Sequence, residues 1–440
     1  MANVVEIEKL IFFDIADNHN KLWFITLFDD GSLKTSWGRA GSKLTDSIKP
    51  FGDNNKAKKE FDKLVKSKLK KGYTKLETES TVINESGNTS ITTNITQSLS
   101  VEDLAINEIV FDKNDSHLMD LIKRFCSENI HNITNNTNIT YSASTGLFQT
   151  PGGIVTREAI TKARAILDKI QDFYDNNALM SDEGKSLVEN YCRIIPTKVP
   201  GKTLHISKIF PNTQSFDIQR SVLDSLEDSI DTIEQIKNNQ LNVDQIKKPK
   251  VFNVSVKLVE DNSVIKDIIT MFNSTRQNIH ACRDLRIKNV YEVCIDSMDK
   301  NYKALKEKWI KENHLLNEMR LWHGTRTHNI ISIFKCGLVI PPSNAKHVVG
   351  RMFGDGLYFS DQSTKSLNYS YGYWNGGSRS RNCFMFLCDV LMGKTYTPYS
   401  SGSYRPSDCD SIYAEAHKSG VMNNEMIVPK TAQANIRYLI

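Results

Sequence analysis

The spacing of hydrophobic residues changes twice along the chain, and no other sequence feature constrains the fold as strongly. Near the N-terminus such residues alternate, as Ile11 and Phe13 do, which is typical of strands with one buried face. Farther on, Ile160, Ala163 and Leu167 recur at the three- and four-residue spacing of one helix face. The last part of the chain returns to short runs rich in β-branched and aromatic residues. With 440 residues, this pattern predicts an α+β chain of several domains rather than one core.

The first predicted domain comprises residues 1–76. Its strands are joined by a turn at residues 29–32, which has the residues that hairpin loops prefer. A helix follows, and its apolar residues share one face: Ala57, Phe61, Leu64, Val65 and Leu69. Lysines occupy the rest of that helix, which is therefore either a solvated surface or a contact for phosphates, and the spacing leaves both explanations open.

Residues 77–101 and 102–240 differ sharply in composition. The former are mostly Thr, Ser, Asn and Ile with few charges, which predicts a flexible linker. The latter repeat apolar residues at helical spacing, which predicts an all-α domain. Two local predictions fall inside that domain. Residues 129–144 are expected to form an inserted loop, and residues 150–153 are expected to open a helix.

Residues 248–440 are predicted to alternate strands with short helices. The predicted strands are residues 251–258, 290–295, 319–322, 357–359, 383–390, 425–428 and 436–440. No Gly-x-Gly-x-x-Gly string follows a strand and opens a helix, so dinucleotide binding of the hydride-transfer kind is not expected.

Three short strings stand out in this third domain. They are Leu-Trp-His-Gly-Thr-Arg at residues 321–326, Gly-Asp-Gly-Leu-Tyr-Phe at 354–359 and Asn-Asn-Glu-Met-Ile-Val at 423–428. Together with the segment at 363–369, they resemble the signature of the poly(ADP-ribose) polymerase catalytic domain, in the same order. The resemblance implies a mainly antiparallel β ADP-ribosyltransferase fold with NAD+ as its substrate.

The same resemblance implies the roles of individual residues. Glu425, His323 and Tyr358 are expected to be catalytic, because a fixed carboxylate stabilises the positive charge that builds on the ribose as its glycosidic bond breaks. The residues expected to bind NAD+ are His323, Gly324, Thr325, Asn329, Tyr358, Ser366 and Tyr369. Among these, two tyrosines offer faces to the cationic nicotinamide ring, and Gly324 and Ser366 hold its carboxamide.

Each of these residues has a plainer explanation when it is considered alone. His323 could be a satisfied core histidine, and residues 357–359 could be an ordinary strand. The order of the strings favours the functional interpretation of the set. For Asn329 the alternative stays open, because it could simply cap the helix suggested by the apolar residues after it.

The first domain contains Trp-Gly-Arg at residues 37–39, with Phe51 and Tyr73 downstream. This arrangement resembles the WGR domain, a small mixed β/α domain. The resemblance implies that Trp37 stacks on an exposed DNA end or break and that Arg39 organises the fold beside it. Stacking reads no sequence, so binding is expected to depend strongly on salt and little on sequence.

Residues 102–240 resemble the regulatory helical domain that precedes the catalytic domain in DNA-dependent members of the family. The resemblance implies that these helices shield the NAD+ site until DNA binding loosens them. If that is so, a chain lacking residues 102–240 is expected to be active without DNA.

The sequence thus predicts a DNA-break-activated transferase of ADP-ribose to proteins, itself included, which also extends poly(ADP-ribose). Asp355 stands where relatives usually have Lys, and its charge could weaken binding of an acceptor ADP-ribose. The loop between Gly393 and Asn423 also looks short. A mono-ADP-ribosyltransferase and a catalytically silent DNA-binding scaffold therefore stay as alternatives.

Composition excludes several other classes. No stretch approaches the roughly 18 apolar residues that cross a membrane, and the N-terminus lacks the features of a secretory signal. Eight cysteines without Cys-x-x-Cys pairs argue against structural zinc and for a reducing compartment, so no metal is expected. The family resemblance and the lysine-rich helix imply a nuclear location.

Overall fold

The computed structural model describes most of the chain, as two compact units. The described residues are 2–15, 17–40, 42–76, 100–142, 148–150, 153–199, 203–241, 250–340, 352–373, 379–380, 382–403 and 405–440. One unit consists of Met1–Ser100 with His131–Glu234, and the other of Val101–Ile130 with Gln235–Ile440. Both combine helices with mainly antiparallel sheets, which confirms the coarse prediction of a mixed α and β chain.

The first sheet has the strand order β4-β3-β2-β1-β5 and is antiparallel throughout. Its strands and the helix packed on it are β1 (Val4–Asp14), β2 (His19–Phe28), β3 (Ser32–Arg39), β4 (Thr45–Pro50), α1 (Asn54–Lys70) and β5 (Thr74–Lys75). The turn predicted at residues 29–32 joins β2 to β3, and Gly31 there has φ of +74°. Helix α1 begins after Asp53, whose carboxylate accepts hydrogen bonds from the backbone amides of Asn55 and Lys56. It buries Ala57, Phe61 and Val65 against the sheet.

The next part of the chain is mainly helical. Its elements are α2 (Val101–Glu108), α3 (Ser116–Asn136), β6 (Thr140–Tyr141), β7 (Phe148–Thr150), β8 (Gly153–Ile154), α4 (Arg157–Asp175), α5 (Asp182–Ile194), α6 (Ile206–Ile209) and α7 (Thr213–Leu241). Most of the predicted linker, residues 77–99, lies outside the described residues, and α2 begins at Val101. Helix α5 supports β1, since Glu189 accepts a hydrogen bond from the Ile15 amide at 2.9 Å and Arg193 donates to the Phe13 carbonyl at 3.0 Å.

Two local predictions in this part are wrong. Residues 129–144 were expected to form a loop, but α3 continues to Asn136 because buried Ile133 anchors its last turns. Residues 150–153 were expected to open a helix, but Thr150 ends β7, Gly153 begins β8, and these two strands pair antiparallel. Helix α4 begins later, where the Thr156 hydroxyl accepts a hydrogen bond from the Ala159 amide at 3.2 Å.

The remaining elements belong to the second unit. They are β9 (Val254–Leu258), α8 (Asn262–Ser274), β10 (Tyr291–Ile295), α9 (Asp296–Lys311), β11 (Glu318–Gly324), α10 (Ile330–Cys336), β12 (Leu357–Phe359), α11 (Ser363–Tyr371), β13 (Met385–Leu391), β14 (Thr395–Tyr396), β15 (Ser411–Ala414), β16 (Glu425–Val428) and β17 (Ala434–Leu439). One sheet has the order β11-β13-β17-β10-β9 and another β12-β16-β15-β14, with only β14 and β15 parallel among their described pairs. Each predicted strand overlaps one of these strands, whereas β14 and β15 were not predicted.

Helix α2 and the first part of α3 pack into the core of this second unit. The Val110 amide donates to the Val254 carbonyl at 2.9 Å, and the Val256 amide donates to the Val110 carbonyl at the same distance. The Glu108 carboxylate accepts hydrogen bonds from the amides of Val251 and Phe252. Segment 101–130 is therefore held to the sheet edge by backbone hydrogen bonds as well as by apolar packing.

Candidate active site

Adjoining strands of the second unit carry His323, Tyr358 and Glu425. β11 meets β12 where Trp322 and Ser360 exchange backbone hydrogen bonds of 2.9 and 3.0 Å. β12 in turn pairs antiparallel with β16, which begins at Glu425. Residues from three separate strings of the sequence therefore lie on strands that are joined by hydrogen bonds.

Helix α11 lies so close to β11 that Gly324 has no room for a side chain. A Cβ atom on Gly324 would lie 1.7 Å from the backbone oxygen of Ser366. The Ser366 hydroxyl donates to the Trp322 carbonyl at 2.9 Å, and the Thr325 amide donates to the Ser370 hydroxyl at 3.2 Å. The backbone of Gly324 and the side chain of Ser366 are thus neighbours, as the predicted carboxamide site requires.

Replacing Gly324 by Ala should remove binding of nicotinamide-like compounds. The added methyl group overlaps the Ser366 carbonyl, and relieving the overlap requires a shift of roughly 1 Å or more between α11 and β11, which is enough to cost on the order of 100-fold. We expect the affinity for benzamide, a nicotinamide mimic, to fall by about that factor in isothermal titration calorimetry. Gly38→Ala is the control, because Gly38 is not in the left-handed region and a Cβ there would closely approach only the flexible end of the Leu44 side chain, at 3.0 Å. Unchanged benzamide affinity in Gly324→Ala would exclude Gly324 from the site.

The ring of His323 has a defined tautomer. Its Nδ1 lies 2.9 Å from the Tyr358 carbonyl oxygen, which can only accept, so Nδ1 carries the proton. Burial lowers the pKa of His323 and keeps the ring neutral at neutral pH. Nε2 therefore presents a lone pair that suits a hydroxyl donor such as a ribose hydroxyl.

The two tyrosines are held differently. The Tyr358 phenol donates to the Gly354 carbonyl at 2.7 Å and accepts from the Phe353 amide at 3.1 Å, so the loop before β12 fixes its ring. Tyr369 lies on α11, where burial raises its pKa to about 12 and the negative charge of Glu425 adds a smaller contribution. Tyr369 is therefore close enough to Glu425 to respond to its charge.

Glu425 forms a buried ion pair with Lys365. The Lys365 ammonium donates to Oε1 of Glu425 at 2.6 Å, and the two residues are 6% and 8% exposed. Burial lowers the pKa of Lys365, and the contact with Glu425 opposes that shift. Among the described residues no donor reaches the second carboxylate oxygen, Oε2, which can therefore accept a further hydrogen bond.

Lys365 is a site residue that the sequence analysis missed. It lies within the string at residues 363–369, yet only Ser366 and Tyr369 of that string were singled out. The sequence carried no signal for it, because only the fold shows that every residue of α11 from Ser363 to Asn368 is buried and that Lys365 is the charged member. A buried charge requires a partner of opposite charge, which here is Glu425.

Asn329 ends a 3₁₀ turn, Thr327–Asn329, just before α10. Its side chain makes no capping hydrogen bond to that helix. Instead, the side-chain amide of Asn329 donates to the Thr325 hydroxyl at 3.0 Å. The capping explanation is therefore wrong, and Asn329 and Thr325 form a hydrogen-bonded pair on the segment that follows β11.

Trp37 and Arg39 lie on β3 in the other unit. Trp37 is 41% exposed and pairs across the sheet with Trp23. Arg39 is exposed and pairs with Lys21 on β2. Because cross-strand partners and alternate residues share a sheet face, Lys21, Trp37 and Arg39 form one continuous surface, here called the Trp37 surface.

Lys68 of α1 adds a cation beside this surface. Its ammonium lies 5.2 Å from the centre of the Trp23 ring. Burial lowers the pKa of Lys68, and repulsion from Lys71 and Lys21 adds to that shift. No carboxylate pairs with Lys68 among the described residues, whereas Lys58 on the same helix contacts Glu6 at 2.6 Å. Helix α1 thus has a neutralised part and a cationic end.

The predicted site residues therefore fall into two groups. One group lies in the second unit on β11, β12, β16, α11 and the segment after β11: His323, Gly324, Thr325, Asn329, Tyr358, Ser366, Tyr369 and Glu425. The other, Trp37 and Arg39, lies in the first unit. Within the described ranges, no three His, Cys, Asp or Glu side chains are grouped as metal ligands. No described helix is both long and apolar enough to cross a membrane.

The class of protein follows when the chain is compared with known families. Residues 263–440 match the poly(ADP-ribose) polymerase catalytic domain, a domain that uses NAD+, and residues 9–80 match the WGR domain. The chain therefore contains a poly(ADP-ribose) polymerase catalytic domain and a WGR domain, and the resemblance inferred from its sequence strings is confirmed.

Individual relatives are similar to different extents of the chain. Poly [ADP-ribose] polymerase 2 of Homo sapiens is 25% identical over 472 aligned positions, covering 96% of this chain and 77% of the human protein. Poly [ADP-ribose] polymerase of Sarcophaga peregrina is 27% identical over 197 residues, covering 38% of this chain. The corresponding protein of Drosophila melanogaster is 29% identical over 212 residues. The chain spans 19% and 20% of the length of these two insect proteins, so the similarity concerns only their matching part.

Proposed function

We propose that this chain transfers ADP-ribose from NAD+ to protein acceptors, itself included, and releases nicotinamide. The observation that carries the proposal is the buried Glu425–Lys365 pair, in which Glu425 begins the strand that pairs with the Tyr358 strand. A carboxylate in a poorly hydrated site interacts more strongly with developing positive charge than one in water. The departure of nicotinamide places such a charge on the ribose.

The nicotinamide end of NAD+ is assigned to α11 and β11. The backbone of Gly324 and the hydroxyl of Ser366, which are adjacent, suit the carboxamide. Tyr358 and Tyr369 are assigned to stack on the cationic ring. Because Tyr358 is fixed by its own loop, its ring face is oriented before the substrate arrives.

The adenosine end is assigned to His323 and to the segment that follows β11. Nε2 of His323 accepts a hydrogen bond from the adenosine ribose, which is consistent with its neutral tautomer. The hydrogen-bonded pair of Thr325 and Asn329 lines the groove beside it.

In the reaction, the bond between ribose C1′ and the nicotinamide nitrogen breaks. The electron pair stays with that nitrogen, so nicotinamide leaves as a neutral ring. A lone pair of the acceptor side chain forms the new bond to C1′, and the acceptor proton passes to solvent. When the acceptor is a hydroxyl of bound ADP-ribose, Oε2 of Glu425 orients that hydroxyl, and the product grows into poly(ADP-ribose).

A second candidate is transfer of a single ADP-ribose. Gly356 packs against β16 so closely that a Cβ there would lie 2.5 Å from Ile427. The loop is thereby held at the strand that begins with Glu425, and its exposed Asp355 adds negative charge there. That charge repels the phosphates of an acceptor ADP-ribose, which favours short products.

We further propose that DNA ends activate the chain through the Trp37 surface. Trp37→Ala should weaken binding to a blunt DNA duplex roughly 5- to 150-fold, because stacking on one base contributes about 1–3 kcal/mol. Fluorescence anisotropy at two salt concentrations measures the affinity for the duplex. Ile48→Ala is the control, because Ile48 is a second exposed apolar side chain of the same sheet, at 63% exposure. Equal losses in both variants would contradict the assignment of Trp37.

Labelled NAD+ tests the whole proposal. The purified chain is incubated with it, with and without short broken duplex DNA, and the products are separated on a denaturing gel. A ladder that requires DNA is the expected result and supports transfer, extension and activation together. A single sharp band means mono-ADP-ribosylation, and no label under either condition leaves only a catalytically silent scaffold.

The proposal includes a domain assignment and a location. Residues 1–76 are assigned to DNA binding, 102–240 to regulation and 248–440 to catalysis. A nuclear location is proposed from the family resemblance and the lysine-rich helix α1, and imaging of a fluorescent fusion would test it.

A further inference from the structure

His280 lies outside every sequence string discussed above, yet it contacts two of the segments that form the site. It is in the loop between α8 and β10 and is 3% exposed. Its Nδ1 lies 2.8 Å from the Thr364 hydroxyl on α11, and its Nε2 lies 3.1 Å from Oδ1 of Asn423. One buried ring therefore connects α11 to the segment that leads into β16.

The surrounding groups fix the tautomer of His280. The Asn423 oxygen can only accept, so Nε2 carries the proton and Nδ1 accepts from the Thr364 hydroxyl. The Thr364 oxygen in turn accepts from the Gln277 amide at 2.8 Å. Burial lowers the pKa of His280, the hydrogen bond to Asn423 opposes that shift and the nearby positive charge of Lys365 adds to it. The pKa is lowered overall, so the ring is neutral at neutral pH. Every polar atom of the ring is then satisfied.

The two contacts of His280 lead directly to the ion pair of the site. Thr364 immediately precedes Lys365 on α11, and Asn423 stands two residues before Glu425. Asn424, which lies between Asn423 and Glu425, is fixed by a different contact, because its side-chain amide donates to the Asp361 carboxylate at 2.9 Å. For the Asn423 side chain, His280 is the one hydrogen-bond partner within the described ranges. Without His280, nothing described ties Asn423 to α11.

We propose that His280 is a positioning residue that sets the geometry of the Lys365–Glu425 pair by bridging Thr364 and Asn423. The inference rests on the proposed transferase function, because it assigns His280 an effect on the chemical step. His280 does not need to touch NAD+ to act in this way. A displaced Glu425 stabilises the transition state less well while the nicotinamide site, formed by Gly324 and Ser366, remains in place.

Substitutions that keep one contact at a time separate the two bridges. His280→Gln places an amide N–H near the position of Nε2 and can keep the bond to Asn423. His280→Asn places an oxygen near the position of Nδ1 and can keep the bond to Thr364. His280→Leu keeps neither. We expect kcat for NAD+ consumption to fall at least about tenfold in His280→Leu and to be partly restored in His280→Gln, with benzamide affinity within about twofold of the parent chain in each.

A double variant distinguishes positioning from general damage. If His280 acts through Glu425, adding His280→Leu to Glu425→Gln should lower kcat by less than about twofold further. A residue that merely stabilises the fold lowers kcat by the same factor in both backgrounds. His117→Leu is the control, because His117 is another hydrogen-bonded histidine of the same unit, 2.6 Å from the Tyr291 hydroxyl.

The outcomes separate the two proposals. If the parent chain consumes NAD+ and His280→Leu consumes it at the parent rate, the positioning role is overturned while the transferase function stands. The role is also overturned if the loss is equal in both backgrounds, or if benzamide affinity falls together with kcat. If the parent chain consumes no NAD+ with or without DNA, the proposed function itself fails, and benzamide binding and the melting temperature of His280→Leu report only on folding.

Discussion

Replacing Glu425 by Gln is expected to lower kcat for NAD+ consumption by about 100- to 1000-fold, the range typical for loss of one preorganised electrostatic contact in a transition state. Gln has nearly the same size and keeps an oxygen for the Lys365 contact, so the substitution removes charge and little else. Charge on the ribose develops in the transition state and is weak in bound NAD+. Affinity for benzamide should therefore change by less than about threefold.

The measurement is steady-state kinetics of nicotinamide release together with calorimetric titration of benzamide. The neutral side chain leaves the Lys365 ammonium buried without a counter-charge, so a lower melting temperature is also expected. Assays are therefore run well below the melting temperature of the variant. Glu292→Gln is the control for loss of one carboxylate, because Glu292 is exposed on β10. Turnover at the parent rate in Glu425→Gln would remove the central assignment.

The strands that carry the candidate site could be predicted from the sequence because each string encodes a local strand or turn. What it could not provide is how the strings meet. The exchange of backbone bonds between Trp322 and Ser360 joins residues 38 positions apart, and nothing in either string specifies that partner. For the same reason, Lys365 and His280 were missed, since a lysine within a helix and a histidine within a loop reveal their role only through partners distant in sequence.

The helical part of the chain shows a second limit of predicting structure from sequence. Asn-rich stretches have low intrinsic helix propensity, so residues 129–144 resembled a loop. Tertiary packing overrides propensity here, because Ile133 is fully buried on one face of α3. The type of element is thus decided by contacts outside the segment, and α2 likewise cannot be assigned to a structural unit from its own residues.

Because α2 and the first part of α3 belong to the second unit, the predicted shielding by helices cannot be tested by a simple deletion of residues 102–240. Residues 101–130 share one apolar core with the strands of the second unit. The core residues they supply are Leu104, Ala105, Ile109, Phe111, Leu118, Leu121, Ile122, Phe125 and Cys126. Burying one large apolar side chain contributes about 1.5–3 kcal/mol, so the set contributes as much as the whole net stability of a typical domain. A chain without residues 102–240 is therefore expected to lose activity through unfolding. Replacing only His131–Glu234 by a flexible linker leaves that core intact and tests shielding.

Phe125→Ala is the sharpest test of this core, and we expect it to destabilise the second unit by about 3–5 kcal/mol. The ring is 0% exposed and makes edge contacts with Phe334 and Phe384 at centroid distances of 5.8 and 5.0 Å. Hydrogen exchange of peptides from β9 and β10 measures the change within the unit itself. Lys123→Ala is the control, because Lys123 is exposed on the same turn of α3. Unchanged protection of both strands in Phe125→Ala would mean that α3 is separable from the catalytic core, and the larger deletion would then be informative about shielding after all.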